Sequence, residues 1–491
     1  MAEGGQPERA QPATATDPAF PLCVDLDGTL LRGDSLVESL IRLLRTQPLS
    51  LARVPGWLAR GRARLKHELA LRVALDPASL PYDDRLLDYL RGERAAGRPL
   101  FLATASHQRL ARAVAEHLGI FSGVIATDER TNLKGRAKRD ELVRRFGERG
   151  FDYAGDSAAD LEVWRGARLA IAVNAPPRVV RKLEGQVKLV LESRRRFLPR
   201  VVLEAMRVRQ WVKNLLLLLP VALAHRLLEP RPAGMAVLAF VAFGLGASAV
   251  YVLNDLLDVE ADRHHPVKRA RPFASGELGL GVGIVLVPLL ALPAVGIALL
   301  LPRPFVLVLL LYFALTTAYS LFLKQVVLAD VLLLAGLYTL RIIAGAAASE
   351  VVVSQWLLAF SMFFFLSLAA VKRYAELRRL RTERVESVVR GRGYLASDLE
   401  LMAPIGLSTG YLAVLVLALY ISSDSVTPLY SYPTLLWFVC PLLLYWISRI
   451  WFLAHRGQVQ DDPLSFAVRD PATWVVALAT GAIALAASGI G

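Results

Sequence analysis

Repeated apolar runs of about twenty residues fill the sequence from residue 211 onward, and no other feature constrains the fold as strongly. A helix needs about 20 apolar residues to cross a bilayer, so each run is a candidate membrane span. About nine spans are predicted, at 211–228, 233–257, 278–301, 305–323, 326–347, 354–372, 400–421, 433–454 and 473–490. The chain is 55% hydrophobic and only 20% charged, which excludes a wholly disordered protein and a wholly soluble enzyme.

The net charge of +14 follows the predicted topology. The connections after the even-numbered spans carry most of the basic residues of the membrane half, whereas the opposite connections offer only Arg226, Arg231 and Arg303. This bias predicts a multi-pass protein of the inner (cytoplasmic) membrane, with the first domain on the cytoplasmic side. The charge thus has a membrane explanation, and no nucleic acid partner is expected. Homo-oligomerisation is left open by the sequence.

The residues before the membrane half divide into three parts. Residues 1–19 lack apolar periodicity and predict a disordered tail. Residues 20–193 alternate strand and helix patterns, which predicts an α/β Rossmann-like domain with a parallel sheet, and the helical stretch 35–97 predicts an inserted cap. Residues 194–210 form a basic amphipathic pattern, typical of an interfacial linker helix before the transmembrane domain at 211–491. The predicted strands are Pro21–Asp25, Pro99–Thr104, Gly123–Ala126, Phe151–Gly155, Leu169–Val173 and Val187–Leu191.

Two carboxylates close the first predicted strand. Asp25 and Asp27 share a face because they are two residues apart, and Gly28 lets the chain turn directly after them. Such a pair suits one nucleophile and one acid/base, with Mg²⁺ screening their repulsion from a phosphate. Later strand and helix ends add a hydroxyl, an ammonium and two carboxylates: Thr104, Lys138, Asp156 and Asp160.

The order of these motifs resembles the haloacid dehalogenase-like phosphatase superfamily throughout the predicted α/β domain. The resemblance implies that Asp25 attacks phosphorus and that Asp27 protonates the leaving group. It also implies that Thr104 and Lys138 hold the phosphoryl oxygens. Lys134 is a rival for the lysine role, but its position relative to Gly135 makes Lys138 the better match.

The same resemblance implies a Mg²⁺ site. Asp156 would complete it together with Asp25 and the main-chain carbonyl of Asp27, and Asp160 would support the metal site or pair with the lysine. A degenerate domain kept only as a scaffold is the alternative. The intact chemical residues argue against it.

A second acidic motif ends the second predicted span. Asp255, Asp258 and Asp262 are spaced i, i+3, i+7 and are predicted to line one helical face, with Asn254 one turn before Asp258. Stacked like charges destabilise a helix unless something neutralises them, and Mg²⁺ bound to a diphosphate would do so.

Cations follow on the same connection. Lys268 and Arg271 are candidates for binding the outer oxygens of that diphosphate. The alternative is a solvated, charged helix beside the membrane, which the compactness of the acidic and basic groups disfavours.

The acidic motif resembles the N-D-x-x-D-x-x-x-D motif of the UbiA superfamily of intramembrane prenyltransferases, and the resemblance covers about residues 197–491. It implies an all-α bundle of about nine helices. The second D-x-x-x-D motif of the aromatic prenyltransferases is missing. The connection after the fourth span offers only Asp330 with Lys324, and that after the sixth offers Lys372 and Arg373.

Five segments resemble the polyprenyl-phosphate (decaprenyl-phosphate) phosphoribosyltransferase branch of this superfamily. They are Gln210-Trp211-Val212-Lys213-Asn214, the stretch from Asp258 to Pro272, Leu340-Arg341-Ile342-Ile343-Ala344-Gly345, Ser354-Gln355-Trp356 and Lys372-Arg373-Tyr374. The branch implies phosphoribosyl pyrophosphate as donor, its diphosphate bound through Mg²⁺, and polyprenyl phosphate as acceptor. The candidate substrate-binding residues of the membrane half are Lys213, Tyr251, Lys268, Arg271, Lys324, Asp330, Arg341, Lys372 and Arg373.

Arg341 lies inside an apolar span, where a guanidinium is costly unless it meets an anion. That anion is either a substrate phosphate or a carboxylate of a neighbouring helix, and the sequence leaves both open.

The two halves together suggest consecutive steps of cell-envelope biosynthesis. Phosphoribosyl transfer leaves a 5-phosphate on the lipid-linked sugar, and a phosphatase would remove it. One alternative is a prenyltransferase that moves a prenyl group from prenyl diphosphate to an aromatic acceptor, fused to an unrelated phosphatase. A second is a transporter or lipid-binding protein with a regulatory soluble domain.

Overall fold

The computed structural model describes residues 18–129, 131–183, 187–191, 198–382, 393–423, 426, 430–459 and 462–489. The predicted tail, 1–19, therefore lies almost wholly outside the described residues. The chain divides into two compact units. Unit 1 consists of residues 1–206 and 252–286, and unit 2 consists of residues 207–251 and 287–491.

Unit 1 contains a six-stranded parallel sheet, which confirms the predicted α/β fold. The strands are β1 Leu22–Val24, β2 Leu100–His107, β3 Gly123–Thr127, β4 Asp152–Gly155, β5 Ala170–Val173 and β6 Val187–Leu191. Their order is β3-β2-β1-β4-β5-β6, and each neighbouring pair is parallel. Because Val24 pairs with Ala154, the residues that follow β1 and β4 emerge at the same edge of the sheet.

Helices surround this sheet, so the short central strand β1 is fully buried and reads as a continuous apolar run. The helices of the N-terminal segment are α1 Ser35–Thr46, α2 Val54–Ala59, α3 Arg62–Arg72, α4 Asp84–Ala95, α5 Gln108–Leu118, α6 Arg136–Phe146, α7 Leu161–Gly166, α8 Pro177–Arg181 and α9 Leu198–Ala205. The first four lie between β1 and β2, where the cap is predicted.

The remaining helices belong to the membrane half. They are α10 Leu219–Leu223, α11 Pro230–Leu257, α12 Val259–His264, α13 Leu280–Ala298, α14 Arg303–Leu321, α15 Ala329–Ser349, α16 Gln355–Thr382, α17 Leu399–Ile421, α18 Val439–His455, α19 Pro463–Arg469 and α20 Pro471–Ser488. Within the described residues, 8 helices are long and apolar enough to cross a membrane. They correspond to the second to ninth predicted spans.

The first predicted span, 211–228, is wrong. The structure has a 3-10 helix at Val208–Leu217 followed by the short α10. The apolar run between Asn214 and His225 is only about 15 Å long as a helix, and Pro220 interrupts it. It is therefore too short for the hydrocarbon core, which needs about 20 residues.

The predicted linker helix at 194–210 is interrupted in its described part. Helix α9 is followed by a 3-10 helix that begins at Val208, and Arg207 between them adopts a left-handed backbone conformation (φ 51°). The start of the predicted linker, up to residue 197, lies outside the described residues.

Candidate functional site

The carboxyl ends of β1 and β4 bring the first set of predicted residues together. Lys138, in the first turn of α6, lies with its Nζ 2.9 Å from Asp25 Oδ1 and 3.8 Å from Asp160 Oδ1. The rival Lys134 is exposed to solvent. Gly28 has a positive φ of 78°, and a Cβ there would collide with the carboxylate of Asp156.

Tyr153 links the buried lysine to the second carboxylate. Lys138 Nζ donates to Tyr153 Oη at 2.7 Å, and that hydroxyl donates to Asp160 Oδ1 at 2.9 Å. Asp160 Oδ2 accepts from the main-chain N–H of Ser157 at 3.1 Å and from its hydroxyl at 2.8 Å. The lysine is thus fixed between two anions, with its ammonium turned toward Asp25.

Two serines orient Asp27. Its carboxylate accepts hydrogen bonds from the Ser35 N–H at 2.8 Å, the Ser35 hydroxyl at 3.1 Å and the Ser106 hydroxyl. Thr104 Oγ1 accepts from the Ser106 N–H at 2.9 Å, so the predicted hydroxyl lies beside Ser106 on strand β2. Burial raises the pKa of Asp27, although the bonds from Ser106 and Ser35 oppose the shift. A raised pKa suits a group that must carry a proton.

Three carboxylates offer oxygen atoms within 4.8 Å of one another: Asp25, Asp156 and Asp160. Burial raises the pKa of Asp25 to about 7, against the opposing charge of Lys138. Burial and the charge of Asp160 likewise raise the pKa of Asp156 to about 7. Buried like charges at this spacing fit a divalent cation with hard oxygen ligands, because the cation would compensate their repulsion.

The second acidic motif also lies in unit 1, at the junction of α11 and α12. Helix α11 ends at Leu257, Asp258 stands between it and α12, and Asn254 is half-buried in the last turn of α11. Arg271 Nη1 lies 3.1 Å from Asp255 Oδ1 and 2.6 Å from Asp262 Oδ2. Two carboxylates of the predicted acidic motif therefore form ion pairs with a predicted cation, Arg271. The other predicted cation of this connection, Lys268, begins a 3-10 helix.

The acidic segment contacts the predicted cap through a buried ion pair. Arg263 Nη2 and Nη1 donate to Glu38 Oε1 and Oε2 at 2.8 and 2.9 Å, and the two side chains are only 8% and 5% exposed. Arg42 also pairs with Glu260. Glu38 lies one turn after Ser35, which binds Asp27, and Arg263 directly follows Asp262. Helix α1 thus joins the two acidic groups of unit 1.

Glu38→Gln is expected to destabilise unit 1, because it leaves the buried Arg263 guanidinium without a charged partner. The cost is about 3 kcal/mol, which lowers the temperature of phosphatase inactivation by about 6–12 °C. Residual phosphatase activity after heating measures it. Glu162→Gln is the matched control, since its pair with Arg165 is exposed and contributes about 0.5 kcal/mol. An unchanged inactivation temperature in Glu38→Gln would contradict the role of this pair.

In unit 2, several cations that are predicted to bind substrate lie around Tyr338. Lys213 forms an ion pair with Asp462, and its Nζ lies 5.4 Å from the centre of the Tyr338 ring. The Tyr338 hydroxyl donates to Asp462 at 3.4 Å. Burial acts to raise the pKa of Asp462, but the charges of Lys213 and Lys372 outweigh it and lower the pKa below its ordinary value.

Arg341 lies in the same region, 4% exposed. It donates to Asn214 Oδ1 at 3.2 Å, to the Leu337 carbonyl at 2.6 Å and to Tyr312 Oη at 3.2 Å. Its guanidinium carbon lies 5.1–5.5 Å from the ring centres of Phe243, Tyr312 and Tyr338. Among the described residues no carboxylate pairs with it, and Asn214 Nδ2 has no hydrogen-bond partner there either.

Asp330 and Arg373, both predicted to bind substrate, form an ion pair with each other. Asp330 Oδ2 lies 2.6 Å from Arg373 Nη2, and Tyr394 Oη donates to Asp330 Oδ1 at 2.6 Å. Both charged side chains are fully buried, and Arg373 also pairs with Glu376. Lys324 is half-buried in the 3-10 helix Leu323–Gln325, and Tyr251 lies 5.1 Å from the guanidinium carbon of Arg207.

Sequence reasoning missed several contributing residues. Ser106 follows Thr104 by two positions, and Tyr153 precedes Asp156 by three, so both stand close to recognised motifs. No local signal marks Asp462 or Glu38, because their partners are far away in the chain.

Comparison with known proteins agrees with both halves. The family model of the UbiA prenyltransferase family matches residues 215–474, and that of the haloacid dehalogenase-like hydrolases matches residues 22–165. The uncharacterized protein y4nM of Sinorhizobium fredii is 39% identical over 465 residues, which cover 94% of this chain and 89% of that protein.

Two relatives match shorter parts of the chain. The nodulation protein NoeC of Azorhizobium caulinodans is 40% identical over 283 residues, 56% of this chain and 89% of that protein. The decaprenyl-phosphate phosphoribosyltransferase of Mycolicibacterium smegmatis is 40% identical over 181 residues, 36% of this chain and 57% of that enzyme. With its apolar helices, this chain is a multi-pass membrane enzyme. It belongs to the UbiA prenyltransferase family and carries a haloacid dehalogenase-like hydrolase domain on its N-terminal side.

Proposed function

We propose that the chain transfers 5-phosphoribose from phosphoribosyl pyrophosphate to polyprenyl phosphate and then removes the 5-phosphate from the product. One observation carries the proposal. A chemically intact phosphatase site, with Lys138 held between Asp25 and Asp160, lies in the same chain as a region 40% identical to a decaprenyl-phosphate phosphoribosyltransferase. The joined activities would raise the effective concentration of the intermediate at the second site.

In the transfer step, the bond between C1 of the ribose and the pyrophosphate oxygen breaks, and an oxygen of the lipid phosphate forms a new bond to C1. Asn254, Asp255, Asp258 and Asp262 would hold Mg²⁺, which supplies charge compensation for the leaving pyrophosphate. Arg271, already between two of these carboxylates, is placed to donate to the pyrophosphate oxygens.

The acceptor is already an anion, so it needs positioning rather than a strong base. Lys213, Arg341 and Lys372 are the candidates for holding its phosphate. Arg341 is the best supported of the three, because its described hydrogen bonds go only to neutral oxygens. A lipid phosphate would supply the anion that this buried guanidinium lacks among the described residues.

In the phosphatase step, Asp25 attacks phosphorus and the bond to the 5-oxygen of ribose breaks. Asp27, oriented by Ser35 and Ser106, donates its proton to that oxygen. Water, giving its proton to Asp27, then releases phosphate from Asp25. Thr104 and Lys138 would hold the phosphoryl oxygens during both steps.

The residues of this site fit Mg²⁺, which would be held by Asp25, Asp156 and the Asp27 carbonyl, with Asp160 in support. We further propose that the protein lies in the inner (cytoplasmic) membrane with its hydrolase domain in the cytoplasm. The excess of basic residues on one set of connections supports this orientation.

Product identification tests the proposal. Purified protein in detergent is given polyprenyl phosphate, phosphoribosyl pyrophosphate and Mg²⁺, and the lipids are analysed by mass spectrometry. We expect pyrophosphate release and lipid-linked ribose without phosphate, and we expect EDTA to abolish both reactions. A parallel reaction contains prenyl diphosphate and an aromatic acid.

Prenylation of the aromatic acid without any ribosyl lipid would favour the aromatic prenyltransferase. Absence of Mg²⁺-dependent pyrophosphate release from either donor would favour the transporter or lipid-binding protein instead.

A further inference from the structure

An open cavity of about 760 Å³ lies in unit 1, outside the catalytic residues described above. Its lining is strongly basic, with Arg60 just before α3 and Arg62 and Arg64 in the first turn of that helix. Glu129 and Asn132, from the connection after β3, complete the lining on the other side. The cavity therefore lies between the predicted cap and the sheet domain.

The acidic groups near the cavity do not neutralise all of its arginines. Arg64 pairs with Glu68 at 2.5 Å, and Glu129 pairs with His67 Nε2 at 2.9 Å. Arg60 and Arg62 are exposed and form no ion pair with any residue that the structure describes. Two guanidinium groups consequently remain available to an anion in the cavity.

Lys66 joins this cavity to the phosphatase site. Its Nζ donates to Asn132 Oδ1 at 3.0 Å and to the main-chain carbonyl of Ala105 at 2.6 Å. Ala105 stands between Thr104 and Ser106, and the Ser106 hydroxyl donates to the catalytic Asp27. A substrate with its phosphate at Asp25 would thus have the basic segment of the cap on one side.

Electrostatics agree with this placement. Burial lowers the pKa of Lys66, while the carboxylates of Asp27 and Asp34 oppose that shift, so Lys66 lies within range of the catalytic charge. Arg62 also acts on Lys66. Lys66 is therefore within electrostatic range of both Asp27 and Arg62.

We propose that Arg60 and Arg62 form a second anion subsite of the phosphatase, which selects phosphate monoesters that carry a phosphodiester elsewhere on the same molecule. This rests on the proposed function and deepens it. The product of phosphoribosyl transfer has a phosphodiester at C1 and the monoester at C5, whereas a sugar monophosphate such as ribose 5-phosphate lacks the second anion. The subsite would favour the lipid-linked product over such competitors.

Two soluble monoesters separate charge recognition from catalysis. One is methyl riboside 5-phosphate, which is neutral at C1, and the other is ribose 5-phosphate with a methyl phosphodiester at C1. Steady-state kinetics are measured on the full chain in detergent for wild type, for the double variant Arg60→Gln/Arg62→Gln and for Arg178→Gln. Arg178 is an exposed arginine of α8 outside the cavity, and it serves as the matched control.

The double variant is expected to raise KM for the phosphodiester compound about tenfold. This is the loss of binding expected when two partly exposed charge contacts are removed. Its KM for the methyl riboside and both kcat values should change less than about twofold, since the subsite is remote from the reacting atoms. The wild-type preference should also shrink at high salt. Arg178→Gln should behave as wild type.

Equal effects on both substrates, or none, would overturn the subsite, and so would failure of the wild type to hydrolyse either compound. The proposed function has a separate readout. If arginine-dependent preference appears but the lipid-linked phosphoribose is never dephosphorylated, the subsite stands and the proposed function fails. If the lipid product is dephosphorylated while the arginine variants behave as wild type, only the subsite is overturned.

Discussion

Asp25→Asn is expected to abolish phosphatase activity, by about 10³-fold or more, because an amide oxygen cannot replace the attacking carboxylate. With phosphoribosyl pyrophosphate and polyprenyl phosphate supplied, the variant should accumulate lipid-linked 5-phosphoribose. Mass spectrometry of the extracted lipids separates this product from the dephosphorylated one.

The same change is expected to stabilise the unliganded fold at neutral pH. Burial raises the pKa of Asp25 from an ordinary value of 3.8 to about 7, against the charge of Lys138. The folded state then binds more protons than the unfolded chain between these values, so its stability falls as pH rises through that window. Asparagine does not ionise, so the variant does not lose stability through the ionisation of a buried carboxyl group.

In EDTA, Asp25→Asn should therefore melt at a higher temperature than wild type above pH 7, and the difference should shrink as the pH falls toward 4. Asp88→Asn is the matched control, because Asp88 is exposed and makes only a surface pair with Arg91. Retained phosphatase activity in Asp25→Asn would exclude Asp25 as the nucleophile. Loss of transfer activity together with a lower melting temperature would show that the variant is misfolded.

Arg341→Met is expected to lower transferase activity by at least about 10²-fold while leaving the fold as stable as before or more so. A buried charge without a charged partner is costly, and methionine replaces it with an apolar chain of similar length. The described hydrogen bonds of Arg341 to Asn214, Leu337 and Tyr312 compensate only part of that cost. Pyrophosphate release and thermal melting in detergent measure the two effects.

Arg449→Met is the matched control. Arg449 also lies on an apolar helix, α18, but it pairs with Asp470 through two contacts of 2.7 and 3.0 Å. Removing the guanidinium leaves the Asp470 carboxylate without this partner and should lower the free energy of unfolding by about 1–3 kcal/mol. The KM for both substrates should stay unchanged. If Arg341→Met instead melts like Arg449→Met and keeps its activity, Arg341 has a structural role and does not hold phosphate.

Local patterns were sufficient for much of the architecture. The strand runs match the six strands because a buried parallel strand is a short apolar run bounded by turns. Eight of the predicted spans match helices because length and apolarity decide whether a segment can cross a bilayer. The first predicted span was wrong because the apolar run after Asn214 is too short to cross a bilayer and Pro220 interrupts it.

Charged residues were harder to interpret. The sequence predicts that Asp330 and Arg373 bind substrate. In the fold these two residues, 43 positions apart, form a buried ion pair with each other. In the acidic motif, Asp255 and Asp262 contact the same nitrogen of Arg271, as a shared side predicts, but the helix is interrupted at Asp258. Periodicity reports which residues share a face of an ideal helix, and it cannot report where a helix ends against its neighbours.

Spacing along the chain is enough to locate Asp25, Asp27 and Lys138, because each lies at the end of an element whose pattern is local. The partners of these residues depend on the tertiary structure. Glu38 and Arg263 are 225 positions apart in sequence, and Lys213 and Asp462 are also distant. A charge interacts through space with whatever folding brings near it, so only the folded chain separates the paired Arg373 from Arg341, whose described partners are all neutral.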